Sequence, residues 1–149
     1  MVKLKLMEYL GNLVTKTENG ITSIKDPIRK KFVVSTPEEL VRQLLIQYFI
    51  RNTSFSKNYI KVEKSITLNG MKRRYDLVIY DRNLHPYLLV ECKAPEVRLS
   101  QESFDQIFRY NLIMRAPYLL VTNGIRSICA AMDTGKEDYV LIDHIPEYS

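Results

Sequence analysis

The apolar positions of the chain fall into blocks of different period. Over residues 36–51, Leu40, Val41, Leu44, Leu45, Tyr48 and Phe49 recur at helical spacing and define one stripe to be buried. Thr36-Pro37-Glu38-Glu39 ahead of it reads as a helix start. Its elements are a hydroxyl N-cap, proline at the first helical position and Glu39 placed to close a capping box. Three strand-like runs follow at 59–68, 73–80 and 87–94. Asn69-Gly70 predicts a tight hairpin between the first two, and the polar residues 81–86 join the next two. Helical spacing returns over 100–115, with Phe104, Ile107, Phe108, Asn111 and Leu112 on one face. A buried strand is predicted at 117–122, a turn at Asn123-Gly124, and further strands at 125–132 and 139–142.

This order of helix, three-strand meander, helix and strand predicts an α/β fold, a mixed sheet with helices packed against it. The chain of 149 residues suits one domain. Residues 1–35 read as an N-terminal arm, irregular apart from a short strand or helix, because Gly11, Asn19-Gly20 and Asp26-Pro27 interrupt any period. Residues 36–132 form the expected core, and 133–149 a C-terminal extension of the same domain.

Composition narrows the setting. No apolar run is long enough to cross a bilayer, and the start lacks the apolar stretch and cleavage site of a signal peptide, so a cytoplasmic protein is expected. Cys92 and Cys129 are too few for a zinc framework, and Cys92 lies in a core strand, which predicts a buried, reduced thiol. His85 in a turn and His144 in the tail are assigned to the surface. The net charge of +5 is modest, but Lys57, Lys61, Lys64, Lys72, Arg73 and Arg74 face only Glu63 within one segment. Such a stretch suits a nucleic-acid phosphate backbone, and equally a plain solvated hairpin.

Candidate chemistry lies where that stretch ends. Asp76 is on one strand; Glu91 and Lys93 share a face of the next, with Val90 and Cys92 on the other. If Asp76 meets Glu91, two carboxylates converge and repel unless a cation or proton intervenes, and hard oxygens of this kind favour Mg²⁺ or Mn²⁺. Lys93 beside them could orient a water or offset charge on a phosphate. The competing reading is an exposed ion pair, since composition alone gives about one acidic-x-Lys match by chance. Glu38 falls at the edge of the first helix's buried stripe and can face a site, whereas Glu39 points away and suits a cap. Gln106 and Tyr110, one turn apart, leave the apolar face of the second helix and form a polar edge, with Glu102 and Arg109 nearby. An ordinary helix surface would look the same.

Together, Glu38, Arg74-Tyr75-Asp76, Glu91-Cys92-Lys93-Ala94-Pro95, Gln106-x-x-x-Tyr110-Asn111 and Val121-Thr122-Asn123-Gly124 resemble the N-terminal nuclease domain of type I restriction enzyme R subunits, within the PD-(D/E)xK nuclease superfamily. The resemblance covers roughly residues 36–132. It implies a restriction-endonuclease-like α-β-β-β-α-β core and Mg²⁺-dependent hydrolysis of DNA. It further implies Asp76 and Glu91 as metal ligands, with the Cys92 carbonyl as a third. Lys93 matches the family lysine, and Gln106 and Tyr110 match the Gln-x-x-x-Tyr motif. Glu38 matches the first-helix glutamate, with Glu39 the competing assignment. Lys61, Lys64, Lys72, Arg73 and Arg74 are the expected DNA contacts. The implied partners are DNA and restriction-modification or motor subunits. No Gly-x-x-x-x-Gly-Lys loop follows to hold a nucleotide, so an excised domain or a small stand-alone relative is expected rather than a whole translocating subunit. The alternative on the same scaffold is a non-catalytic nucleic-acid-binding or assembly module.

Overall fold

The computed structural model describes residues 1–133, 135–136 and 138–148; the side chains of residues 63–66, 68, 71 and 73 lie outside the described set. Among the described residues, two α-helices and two sheets form the fold. A 3₁₀ turn at Leu6–Asn12 leads into three short strands, β1 (Thr15–Glu18), β2 (Ile21–Asp26) and β3 (Lys31–Val34), paired antiparallel in that order. The N-terminal arm is therefore a small sheet, which corrects the expectation of an irregular segment. Its pattern was hard to see because every residue of β1 is exposed and β2 buries only Ile24 and Asp26. The interrupting Asn19-Gly20 is itself the hairpin turn, both residues lying at positive φ (54° and 78°).

Helix α1 (Pro37–Asn52) starts where the sequence places it, and the Thr36 hydroxyl accepts from the Glu39 amide at 3.1 Å. The capping box is not closed. Thr36 N–H donates to the Val34 carbonyl, while the Glu39 carboxylate turns to Arg29, Arg42 and Gln43. Two guanidinium partners outcompete one amide for a carboxylate that is itself buried. The buried face of α1 is also wider than one stripe: Ile46 joins Val41, Leu44, Leu45 and Phe49, and the polar Glu39, Arg42, Gln43 and Gln47 are buried too.

The second sheet has six strands in sequential order, β4 (Ile60–Leu68), β5 (Met71–Tyr80), β6 (Pro86–Cys92), β7 (Tyr118–Thr122), β8 (Ser127–Asp133) and β9 (Asp138–Ile142). Only β6 and β7 are parallel, because the chain between them crosses back through α2 (Gln101–Met114); all other pairs are antiparallel. The sheet is mixed and flanked by helices, as expected. Asn69 and Gly70, at φ 50° and 76°, make the β4–β5 hairpin.

Alternation along the strands sorts the core into two faces. Leu77, Ile79, Leu88, Val90 and Cys92 pack with α1, whereas Val78, Leu89, Leu119 and Val121 pack with Phe104 and Ile107 of α2. Leu112, expected on that apolar face, is about half exposed. Tyr139 of β9 covers Phe104 and Phe108 instead, with ring centroids 4.7 and 5.2 Å apart. Strict alternation fails at one place. Tyr75 packs with the α2 cluster although Leu77, two residues on, packs with α1. Asp76 lies between them.

Candidate active site

Asp76, Glu91 and Lys93 lie where the pairing of β5 with β6 ends, Asp76 within β5 and Glu91 and Lys93 at the end of β6. The β5–β6 register ends at Leu77 and Val90, and Asp76 and Glu91 are the next residues of the two strands. The change of phase at Asp76 turns its side chain toward α1. There Oδ1 accepts from Arg42 Nη2 at 2.8 Å, and Oδ2 accepts from the Cys92 backbone N–H at 2.6 Å. Glu91 keeps the regular alternation and faces the α2 side. Its Oε1 is 3.6 Å from Lys93 Nζ, both side chains about a quarter exposed. Lys93 is fixed through its backbone, whose N–H donates to the Thr122 carbonyl at 2.8 Å.

The Thr122-Asn123-Gly124 turn holds this end of the sheet. Thr122 Oγ1 accepts from Gly124 N–H, Asn123 Oδ1 accepts from the amides of Ile125 and Arg126, and Asn123 Nδ2 donates to the Val97 carbonyl. Gly124 has φ +89°, and a Cβ there would sit 3.1 Å from Val41 Cγ2, so a side chain would be strained by the backbone and crowded by α1. The turn is thereby pressed between α1 and the segment leaving Lys93.

The electrostatics follow from this crowding. Glu91 is pushed up to about 8, first by burial and then by the Asp76 charge, with Lys93 pulling the other way. Burial also raises Asp76, against the opposing Cys92 N–H and Arg42. Glu38, exposed at the start of α1, is raised by partial burial and by the Asp76 charge, and it also feels Lys93. Glu38 is therefore the first-helix carboxylate on the site side; Glu39 is buried beneath it and committed to Arg29, Arg42 and Gln43.

A cleft of about 230 Å³ opens on the α2 side, lined by Lys72, Arg74, Glu91, Lys93, Ser103, Gln106, Ile107 and Tyr110. Gln106 Nε2 donates to the Tyr110 hydroxyl at 3.2 Å, and the Tyr110 ring packs edge-on against Tyr75 at 6.1 Å. These two side chains thus face Glu91 and Lys93. Glu102 and Arg109 do not share that edge; they line a separate depression with Asp105, Phe108, Asp138 and Tyr139. Of the basic residues, Lys72 and Arg74 border the cleft. Lys61 is exposed, but it pairs with Val78, four strand positions from Arg74, or roughly 13 Å. The side chains of Lys64 and Arg73 lie outside the described set. His85 and His144 are on the surface, and Cys92 and Cys129 are buried and free.

Two residues of this site were not foreseen. Arg42 stands one helical turn after Glu38, a spacing that places it on the same side of α1. Tyr75 is buried with its hydroxyl lacking a hydrogen-bond partner among the described residues, beside Tyr110 and Glu91. Nothing in the sequence separates it from an ordinary core tyrosine.

Among the described residues no three His, Cys, Asp or Glu side chains close on one point. A cation here would rest on Asp76 and Glu91, with the Cys92 carbonyl, and keep several waters, a habit of Mg²⁺. Both carboxylates are hard oxygen donors of the kind such an ion takes, and burial disfavours the charged form of each, the Asp76 charge adding to the effect at Glu91.

No curated protein matches the chain. Among solved structures, it is similar to a fragment assigned as the HsdR subunit of a type I restriction enzyme from Vibrio vulnificus YJ016. The TM-score is 0.54 at 18% sequence identity, covering 74% of this chain and 23% of that one. The present chain thus spans less than a quarter of that structure, and the likeness concerns the fold. Residues 37–146 match the family described as type I restriction enzyme R protein N terminus (HSDR_N). That span takes in every candidate site residue from Glu38 to Tyr110, and the chain belongs to this family of R-protein N-terminal domains.

Proposed function

We propose that this chain is a divalent-cation-dependent nuclease domain that hydrolyses DNA phosphodiester bonds, on a PD-(D/E)xK, restriction-endonuclease-like core. One observation carries the reading: Glu91 and Lys93 line the same cleft as Gln106, Tyr110, Lys72 and Arg74, while Asp76, buried on the α1 side, acts through its charge on Glu91 and on Glu38. Asp76, Glu91 and the Cys92 carbonyl would hold Mg²⁺, or Mn²⁺ in its place. When bound, such an ion supplies an acidified water and offsets charge on a phosphate.

The protein's own groups divide the remaining work. Arg42 and the Cys92 amide hold Asp76 in one orientation. Lys93, fixed at its backbone by Thr122, presents an ammonium to a phosphate oxygen or to the attacking water. Gln106 and Tyr110 offer an amide and a hydroxyl across the cleft to position the phosphate. Lys72 and Arg74 extend the positive lining along the DNA backbone, with Lys61, Lys64 and Arg73 on the same two strands. Restriction-modification or motor subunits are the partners that family membership suggests, and the cytoplasm is the compartment; no described helix is long and apolar enough to cross a membrane.

A specific feature favours a second reading. Both Asp76 oxygens already hold donors, and among the described residues no third His, Cys, Asp or Glu side chain joins Asp76 and Glu91, as suits a scaffold kept for nucleic-acid binding without cleavage. Incubating wild type, Lys93→Ala and Asp76→Ala with linear and supercoiled DNA in Mg²⁺ or Mn²⁺ separates the two. Cleavage that drops about 100-fold or more in both variants is the expected result. Salt-sensitive binding without hydrolysis in wild type, unaffected by Lys93→Ala, establishes the second reading instead.

A further inference from the structure

We infer that the N-terminal sheet, which lies outside the family-matched span 37–146, is a working part of the site: Asp26 and Arg29 act through Glu39 to fix Arg42, a positioning residue, on Asp76. The inference rests on the nuclease reading for its consequence and on geometry for its content.

The contacts form one chain of alternating charge. Asp26, fully buried at the end of β2, accepts at Oδ1 from the Ile28 and Arg29 amides (2.7 and 2.9 Å). Its Oδ2 accepts from Arg29 Nε and Gln43 Nε2 (2.6 and 2.9 Å). Four donors leave Asp26 no freedom, so it sets the direction of the Arg29 guanidinium. Arg29 Nη2 then donates to Glu39 Oε1 at 2.9 Å, and Gln43 Nε2 donates to Glu39 Oε2 at 3.1 Å. Glu39 Oε1 accepts Arg42 Nη1 at 3.3 Å, and Arg42 Nη2 reaches Asp76 Oδ1 at 2.8 Å.

A guanidinium is a planar fork, so a hand fixed on Glu39 dictates where the other hand points. Asp76 is held between that hand and the Cys92 amide, both buried. Lysine at position 42 would carry the charge without the fork, and could serve Glu39 or Asp76 but not hold both in register. The links from Gln43 and Arg42 to Asp26, Glu39 and Asp76 are buried, which protects them from competing water and strengthens each charge-assisted bond, while those of Arg29 are part-buried. A family relation alone gives no reason for β1–β3 to matter to the cleft. This chain of contacts does.

The test uses the full chain with Arg42→Gln, Arg42→Lys, Arg29→Gln and the double variant Arg29→Gln/Arg42→Gln. Arg29, part-exposed, is the second site in case the Arg42 variants fold poorly. Expected are a fall in kcat of about 100-fold for Arg42→Gln with KM for DNA unchanged, partial recovery in Arg42→Lys, and a loss of roughly tenfold for Arg29→Gln. The double variant should be no worse than Arg42→Gln alone. Amide hydrogen exchange at Cys92 should quicken in Arg42→Gln and in Arg29→Gln while Val90 stays protected. If the double variant loses the product of the single effects, or Cys92 exchanges as in wild type in Arg29→Gln, the inference fails. Wild-type chain that cleaves nothing would sink the nuclease reading while the Cys92 exchange still decides the positioning.

Discussion

The two helices meet the central sheet on opposite faces and on different terms. Helix α1 presents its polar groups inward: Glu39, Arg42 and Gln43 are buried and bonded to one another, to the N-terminal sheet and to Asp76. Helix α2 buries little beyond Phe104, Ile107 and Asn111, and its Gln106 and Tyr110 border an open cleft. One side fixes charge; the other leaves room for a ligand. The two carboxylates divide accordingly: Asp76 is buried and fixed by Arg42 and the Cys92 amide, and Glu91 lines the cleft.

The largest effect expected from breaking this contrast is on stability. Glu39→Ala removes the carboxylate that Arg29, Arg42 and Gln43 share and leaves buried cations poorly compensated, so urea unfolding should report a loss of about 3–5 kcal/mol. Gln106→Ala, in an exposed position on α2, should change stability by less than about 0.5 kcal/mol. Equal losses would mean that the two faces do not differ as described.

On the α2 face, activity should respond without a cost in stability. Gln106→Ala and Tyr110→Phe should lower DNA cleavage by about 10- to 100-fold with an unchanged melting temperature, since they alter the cleft lining and not the core. An accompanying drop in melting temperature would assign them to packing against Tyr75 instead.

The same contrast governs what the sequence could reveal. Period and turn chemistry disclosed the core: α1, α2 and the β4–β5 hairpin lie within a residue or two of expectation, because hydrophobic spacing and Asn69-Gly70 act locally. Glu91 and Lys93 were legible for the same reason, strand alternation being a local rule. The α1 network was not. Arg42 joins Asp76 across 34 positions and Asp26 joins Gln43 across 17, and pairings of that range leave no periodic trace. Glu39 shows the limit most clearly: its spacing from Thr36 fits a capping box, yet long-range guanidiniums claim its carboxylate. The N-terminal sheet escaped because it is nearly all exposed and so has no alternation to read.

A smaller effect, on the order of 1–2 kcal/mol, is expected from pH in the presence of a chelator. Glu91 sits at about 8 in the fold against an ordinary 4.5, so the fold favours its protonated form. The stabilisation this gives is complete below about 4.5 and is lost as pH rises through about 8, and Asp76, also raised, acts in the same direction. Melting temperature should therefore fall between pH 5 and 8, and Glu91→Gln should flatten the fall. Mn²⁺ added at pH 8 should restore stability in wild type and not in Glu91→Gln, because an ion at the pair replaces the proton. A pH-independent melt in wild type would remove the argument that the carboxylates strain against each other.

The smallest effect isolates what the helices have in common. Thr36 and Ser100 make the same bond at the starts of α1 and α2, each hydroxyl accepting an amide three residues on at 3.1 and 3.2 Å. Thr36→Ala and Ser100→Ala should each cost about 1 kcal/mol in urea unfolding, the usual worth of an N-cap. Matching losses would show that the helices are alike in local chemistry and differ only in what their faces meet. A larger loss for Thr36→Ala has one physical source: the amide it caps belongs to Glu39, so loosening that turn also disturbs the carboxylate that grips Arg29 and Arg42. Repeating both substitutions in the Arg29→Gln background separates the contributions, since the excess at Thr36 should shrink there while the Ser100 value stays fixed.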